Sequence, residues 1–193
     1  ADRQAMGFGI PRDRFLRELA RGIVLGILFM VPLAALMVAL GLRDLSPGLT
    51  ATAVAKVLLA GLGSGLAAAF IEESFLRGAM FSAVSRESGT ALAVVSTAVL
   101  YAAVHFFARY RIDDADAAFG SGLTLLHGSL AEFTHPLQIA DAFLCLAGVG
   151  LLLAMLRALT GNIAAGMGLH AGWVTVMLAV LRLTEVDGEA PLG

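Results

Sequence analysis

The sequence predicts an all-α protein, a polytopic bundle of about five transmembrane helices with a polar cavity inside the membrane. Hydrophobic residues make up 59% of the 193 residues and charged residues only 15%, whereas soluble domains contain roughly 45–50% apolar residues. Several apolar runs reach the roughly 20 residues that a helix needs to cross a hydrocarbon core. Ionisable side chains interrupt some of these runs, which is typical of a functional site inside a helix bundle. We therefore expect a multi-pass integral membrane protein.

Five apolar runs are predicted to span the membrane. The first begins after residue 21 and is longer than the roughly 7–15-residue core of a signal peptide, so it is predicted to be a retained helix. The second continues as a helix to about Val84. The long connector between the third and fourth runs is predicted to lie at the interface or to form a partial re-entrant segment. The runs cover approximately residues 22–42, 51–71, 90–107, 137–156 and 162–183.

Residues 1–193 are predicted to form a single membrane domain. No internal repeat is evident, and the loops at 41–48, 85–89 and 160–161 are too short to link domains. The net charge of −2 gives no indication of nucleic-acid binding. The single cysteine, Cys145, excludes a disulfide or a cysteine metal site within these residues.

The distribution of arginines predicts that the amino terminus is cytoplasmic, because short cytoplasmic loops are enriched in Lys and Arg. Arg86 and Arg157 lie in turns that a five-helix topology places on the same side as the amino-terminal segment. That segment contains Arg3, Arg12, Arg14, Arg17 and Arg21. The bias is moderate, since the opposite side has Arg43, Lys56, Arg109, Arg111 and Arg182. The connector at 108–136 is then expected on the outer side.

The segment FIEESFLRGAM, residues 70–80, places three charges in an apolar helical run. A charge at the centre of a membrane helix costs at least ~2.5–3.5 kcal/mol, so it normally faces the bundle interior and has a partner. Glu73 and Arg77 are four residues apart and are predicted to form an ion pair. Glu72 points about 100° away from Glu73 and needs a different partner. The alternative is that the two glutamates mark a helix end at the cytoplasmic surface.

Two other apolar runs each contain a histidine, and each histidine shares a helix face with another polar residue. Tyr101 and His105 are four residues apart, so they share a face near the end of the third run. Asn162 and His170 lie on one stripe of the last run with Gly166, which leaves room for a ligand beside the imidazole. Each histidine could instead form an ordinary hydrogen bond to a neighbouring helix. His127 and His135, in the connector, are interpreted as surface residues.

The depths of these groups allow them to meet in one cavity. At 1.5 Å per residue, Glu72 lies about 22 Å and His105 about 27 Å from the 85–89 turn. His170 lies about 14 Å from the turn at 160–161, which the topology places on the same side. A second stripe of the last run, formed by Ala164, Gly168 and Gly172, predicts close packing against another helix.

These residues resemble the motifs of the CPBP family of membrane proteins, also called ABI or type II CAAX prenyl endopeptidase-like proteins. Glu72-Glu73-Ser-Phe-Leu-Arg77 resembles the EExxxR signature of the family. Tyr101-Ala-Ala-Val-His105 is similar to its FxxxH motif, with tyrosine in place of phenylalanine, and His170 is similar to the histidine of its HxxxN motif. The order and spacing of the motifs also fit, and the resemblance covers residues from about 60 to 180.

Two features depart from the family pattern. Val174 stands where HxxxN has asparagine, and the better-known CAAX proteases have more spans. An amide could orient a nucleophile or stabilise an oxyanion, whereas valine can do neither.

The resemblance implies an intramembrane endopeptidase in which a glutamate activates water to attack a membrane-tethered peptide or protein. We assign this role to Glu72, because burial among apolar helices disfavours the charged carboxylate and so makes it more basic. Glu73 is then interpreted as the partner of Arg77. His105 and His170 would hold the water or donate to the oxyanion, and the predicted supporting residues are Glu73, Arg77, Tyr101 and Asn162.

No cofactor is expected for this mechanism. Glu72, His105 and His170 could instead bind zinc, since catalytic zinc sites use three such ligands and a water. The sequence lacks the HExxH motif of zinc proteases, which argues against a metal.

Two other classes of function stay open. A non-catalytic membrane subunit could use the same fold to pack against a partner membrane protein or to bind lipid or peptide, and Val174 favours this alternative. A transporter or ion relay is disfavoured by the lack of repeats and of paired broken helices.

Overall fold

A computed structural model describes residues 2–107, 112, 118–132 and 136–186 of the chain. Helices dominate the described residues, which confirms the predicted all-α class. The only strands among them are two three-residue segments that pair antiparallel, with Asp44 opposite Glu185. The elements in chain order are α1 (Arg12–Ala39), β1 (Arg43–Leu45), α2 (Ala51–Glu73), a π-helical segment (Ser74–Met80), α3 (Phe81–Ser88), α4 (Thr90–Phe107), α5 (Ser121–Glu132), α6 (Pro136–Thr160), α7 (Ala164–Leu183) and β2 (Thr184–Val186).

Four helical stretches within the described residues are long and apolar enough to cross a membrane: Arg12–Ala39, Ala51–Ser88, Ile139–Thr160 and Ala164–Leu183. The third predicted span, 90–107, corresponds to a shorter apolar helix, Thr90–Phe106. At 1.5 Å per residue this helix measures about 26 Å, slightly less than the ~30 Å hydrocarbon core. The connector predicted at 108–136 contains α5, and most of its other residues lie outside the described ones.

The described residues divide into two compact units. The first unit comprises the described residues of Ala1–Ala79 and Thr160–Gly193, and the second comprises those of Met80–Leu159. The first therefore contains α1, α2, α7 and the two strands, whereas the second contains α3 to α6. That the chain acts as one membrane domain stays a prediction.

In the first unit, α7 packs against α1 and α2 through small residues. Of its apolar window, 61% of the residues are buried, compared with 11% for α1. A Cβ atom added to Gly172 would stand 2.5 Å from the carbonyl oxygen of Ile23, and one added to Gly65 would stand 2.6 Å from that of Ala171. A Cβ on Gly168 would overlap the Leu19 carbonyl oxygen. The predicted packing role of the small-residue stripe on α7 is thus confirmed for Gly168 and Gly172.

The segment before α1 folds back onto the ends of α2 and α7. The backbone N–H of Ile163 donates to the carbonyl oxygen of Gly7 at 3.2 Å. The Phe8 ring stacks on Phe15, with centroids 5.7 Å apart, and lies 6.4 Å from the Phe70 ring. These contacts continue an apolar core of Ala69, Ile163, Met167 and Ala171. The segment before α1 therefore covers one end of the first unit.

In the second unit, α3 and α4 form a helical hairpin. Gly89 joins them with a φ of +88°, a conformation that favours glycine. α6 approaches α4 closely, because a Cβ added to Gly150 would stand 2.9 Å from the Ala98 Cα atom. The Arg157 guanidinium lies 5.5 Å from the centre of the Phe81 ring. This cation–π contact helps to compensate a buried charge near the end of α6.

Candidate active site

The two adjacent glutamates end α2, and the chain then continues as the π-helical segment Ser74–Met80. The EExxxR motif therefore crosses a change of helix type, with Arg77 inside the wider turn. Short π-helical segments are rare and often occur at functional sites. The sequence analysis missed this segment, because no residue type in the motif is specific for π-helical hydrogen bonding.

The predicted ion pair between Glu73 and Arg77 is confirmed. Arg77 Nη1 donates to Glu73 Oε1 at 3.1 Å, and each side chain is only 1% exposed. Two charges removed from water to this extent must compensate each other, since either one alone would be strongly destabilising.

His170 binds the same carboxylate oxygen. Its Nδ1 lies 3.0 Å from Glu73 Oε1, and the imidazole is 4% exposed. An ionised carboxylate only accepts hydrogen bonds, so Nδ1 carries a proton, and in the neutral form of the ring Nε2 has the lone pair. Glu73 thus holds both Arg77 and His170. The sequence analysis gave Glu73 only the first partner, because residues 97 positions apart share no local pattern.

Glu72 lies on the other side of the imidazole. Its Oε2 is 3.9 Å from His170 Nε2, and its side chain is 32% exposed. This separation is beyond hydrogen-bond range, and polar groups so spaced can be joined through water. The arrangement is an imidazole between two carboxylates, one buried beside an arginine and the other on a partly exposed side chain whose Oε2 atom is buried.

His105 and Tyr101 lie in the second unit and contact each other. His105 Nδ1 is 2.8 Å from the backbone oxygen of Tyr101, and the ring centroids are 4.3 Å apart. A carbonyl oxygen only accepts, so here too Nδ1 carries a proton, and in the neutral form of the ring Nε2 has the lone pair. The shared helix face of the pair is confirmed. The meeting of His105 with Glu72 and His170, which belong to the other unit, stays a prediction.

Asn162 has a structural position at the turn before α7. Its Oδ1 accepts from the backbone N–H of Ala164 at 2.9 Å, and its Nδ2 donates to Glu18 Oε2 at 3.2 Å. The side chain therefore ties the beginning of α7 to α1. These bonds explain why Asn162 is buried, and its supporting role in the site stays a prediction.

Val174, one turn after His170, offers no polar atom. The adjacent Thr175 is buried, and its hydroxyl donates to the carbonyl oxygen of Ala171 at 2.7 Å. This hydroxyl is engaged within α7 and does not replace the amide that the HxxxN pattern would supply.

A zinc site would need a third ligand beside Glu72 and His170, and the predicted one is His105. Among the described residues, no group of three or more His, Cys, Asp or Glu side chains is arranged to hold a metal ion. Catalytic zinc sites use three protein ligands and a water.

The comparisons with known proteins point to one family. The family model described as type II CAAX prenyl endopeptidase Rce1-like matches residues 54–176. The matched region is most of the chain and includes Glu72, Glu73, Arg77, His105 and His170. No curated protein and no solved structure gave a significant match.

Proposed function

Since this chain belongs to the type II CAAX prenyl endopeptidase Rce1-like family, we propose that it is an intramembrane endopeptidase in which Glu72 activates the attacking water. At the family level it is an integral membrane protein of the CAAX-protease type, and its substrates are membrane-associated. The observation that carries the finer proposal is the imidazole of His170, held by Glu73 at Nδ1 with Nε2 3.9 Å from Glu72 Oε2.

In the proposed reaction, Glu72 takes a proton from water as the oxygen attacks the peptide carbonyl carbon. The carbonyl electrons move to the oxygen, and the tetrahedral intermediate collapses when the C–N bond breaks. Glu72 returns the proton to the departing amine, so the enzyme is regenerated without a covalent intermediate. A general base with these tasks contributes roughly 10²–10⁴-fold.

His170 is proposed to orient the water. Its unprotonated Nε2 can accept one water hydrogen while Glu72 takes the other, which points the oxygen lone pair towards the substrate. His105 presents the same tautomer, and we propose that it contributes its Nε2 in the same way.

Glu73 and Arg77 are proposed to position the imidazole without adding net charge. The carboxylate fixes the tautomer and direction of His170, as an aspartate does for the histidine of a serine protease. The positive charge of Arg77 balances the negative charge of the Glu73 carboxylate.

A second candidate function is a non-catalytic membrane subunit, or a scaffold that binds lipid or peptide. The observation in its favour is at Val174, where no amide follows His170 and the neighbouring Thr175 hydroxyl is bonded to Ala171. A site that lacks an oxyanion donor would bind a peptide better than it cleaves one.

The test is cleavage of a library of membrane-tethered fluorogenic peptides by the purified full chain in nanodiscs. Glu72→Gln keeps the size of the side chain but cannot accept the proton, so kcat should fall at least ~100-fold with an unchanged unfolding temperature. Glu87→Gln, at a side chain 78% exposed, is the matched control and should keep full activity.

Further variants separate the alternatives. His105→Gln and His170→Gln should each abolish cleavage, and combining them should cost no more than either alone, because groups that act as a unit are non-additive. Full cleavage by Glu72→Gln would refute the proposal. Inactivity of the folded chain that Val174→Asn restores would favour the non-catalytic function. Loss of activity on chelation, with recovery on adding zinc, would reassign Glu72 as a metal ligand.

A further inference from the structure

A cavity of about 820 Å³ lies beside the beginning of α1, within the first unit. Its walls are formed by the segment before α1 and by the first turns of that helix, and none of them belongs to the proposed catalytic set. This volume falls in the ~300–1,000 Å³ range of ligand pockets.

Two arginines, Arg3 and Arg12, line the cavity. Both are exposed, and neither forms an ion pair with a carboxylate among the described residues. The lining carboxylate, Asp2, accepts from the backbone N–H of Gln4 at 3.2 Å. The cavity therefore presents two guanidinium groups, whose paired N–H donors suit the oxygens of a phosphate.

The remaining wall is largely apolar. Phe8, Ile10, Phe15 and Leu16 contribute to it, and Leu16 is 51% exposed. α1 is an apolar helix long enough to cross a membrane, and only 11% of its window is buried. An acyl chain that leaves the cavity past Leu16 would thus continue along an apolar helix surface.

The cavity is preformed rather than dependent on a ligand. The segment before α1 is a hydrogen-bonded turn, in which Phe8 N–H donates to Arg3 O at 2.9 Å. It is fastened to α7 by the bond from Ile163 N–H to Gly7 O, and to α1 and α2 by the Phe8 ring contacts. Binding therefore carries little cost for ordering the backbone.

We infer that this cavity binds the headgroup phosphate of an anionic membrane phospholipid. Arg3 and Arg12 hold the phosphate, and Leu16 contacts the first part of an acyl chain. Basic residues at a membrane interface attract anionic lipids, and basic pockets beside membrane helices hold their headgroups. Inorganic phosphate shares the charged contact but has no chain to place on the apolar wall. The inference is independent of the proposed peptidase activity.

The test is equilibrium binding of fluorescent phosphatidylglycerol, with fluorescent phosphatidylcholine as the neutral lipid, to the full chain in a non-ionic detergent. The double variant Arg3→Gln with Arg12→Gln should bind phosphatidylglycerol about 30-fold more weakly, at ~1 kcal/mol per arginine. The matched control removes two charges elsewhere, at exposed Arg86 and Arg182, both to Gln. The control should leave binding unchanged.

Further arms distinguish the two sources of phosphate. Leu16→Ser should weaken the binding of phosphatidylglycerol a few-fold, because an apolar contact is lost. The affinity for inorganic phosphate, measured by displacement, should not change. Phosphatidylglycerol that binds no better than its water-soluble headgroup, and is unaffected by Leu16→Ser, would mean a free-phosphate site and would overturn the lipid inference. Equal binding of the two lipids, or equal binding by the double variant and its control, would overturn it as well.

Discussion

Two regions of the first unit contain ion pairs of identical spacing in very different surroundings. At the end of α2, Glu73 and Arg77 pair at 3.1 Å with both side chains 1% exposed. In the first turns of α1, Asp13 and Arg17 pair at 2.8 Å with side chains 67% and 61% exposed. The exposed pair is the shorter one. Distance therefore does not rank these pairs by stability, because the dielectric around them differs far more than their geometry.

A third pair lies between these extremes. Arg14 and Glu18 pair at 2.8 Å, but their side chains are 56% and 18% exposed, and Glu18 also accepts from Asn162. The three pairs thus form a series in burial at constant sequence spacing. The two less exposed pairs differ from the exposed one in having a tertiary hydrogen bond to the carboxylate. Within the described residues, Asp13 has no bond beyond its own helix, whereas Glu18 accepts from Asn162 and Glu73 is bonded to His170.

The comparison separates charges that mark a membrane surface from charges that build a site. On α1 the arginines need no partner, since water screens them. At the end of α2 each charge requires its partner, and the partner in turn orients His170. We therefore expect functional residues where a buried charge requires a partner.

The largest effect is expected at the buried pair. Arg77→Leu leaves the Glu73 carboxylate uncompensated in an apolar interior, so the free energy of unfolding should fall by about 3–5 kcal/mol. Chemical unfolding in detergent, followed by the fluorescence of Trp173, would measure it, together with the amount of protein accumulated in membranes. Glu72→Gln is the control and should leave folding nearly intact. Equal losses in the two variants would contradict the different roles given to the two glutamates.

An intermediate effect is expected at Glu18. Glu18→Ala removes both the ion pair with Arg14 and the bond from Asn162, so the same unfolding measurement should show a loss of about 1–2 kcal/mol. Glu18→Gln keeps an oxygen for Asn162 and should cost clearly less. If the two variants lower the free energy of unfolding equally, the hydrogen bond from Asn162 to Glu18 contributes nothing to stability, and burial alone does not explain the series.

The sequence predicted those parts of the molecule that depend on local periodicity. The apolar runs and the Glu73–Arg77 spacing follow from hydropathy and from helical geometry over one turn. The packing of Gly168 and Gly172 was also predictable, since small residues at four-residue spacing have one common use between membrane helices.

The rest depends on tertiary contacts. The bond from His170 to Glu73 joins α7 to α2, and nothing at either position specifies the other. The change to π-helix after Glu73 likewise depends on packing rather than on a residue preference. The predicted joining of His105 to this site belongs to the same class. Whether the third run spans the membrane is a question of length and not of tertiary contacts. A run of 17 or 18 apolar residues lies at the limit of what spans a membrane.

The smallest effect is expected at the exposed pair of α1. Arg17→Gln should produce no measurable change in the unfolding midpoint, because an exposed i,i+4 pair gains little in water and its side chains lose rotamer freedom when they pair. Any residual effect should vanish when the salt concentration is raised, whereas the effect of Arg77→Leu should persist, since ions screen only the accessible pair. Both variants remove one positive charge, so each serves as the other's control for net charge. A loss for Arg17→Gln comparable with that for Arg77→Leu would mean that the shorter distance, and not burial, governs these pairs. The division between surface-marking and site-building charges would then have to be abandoned.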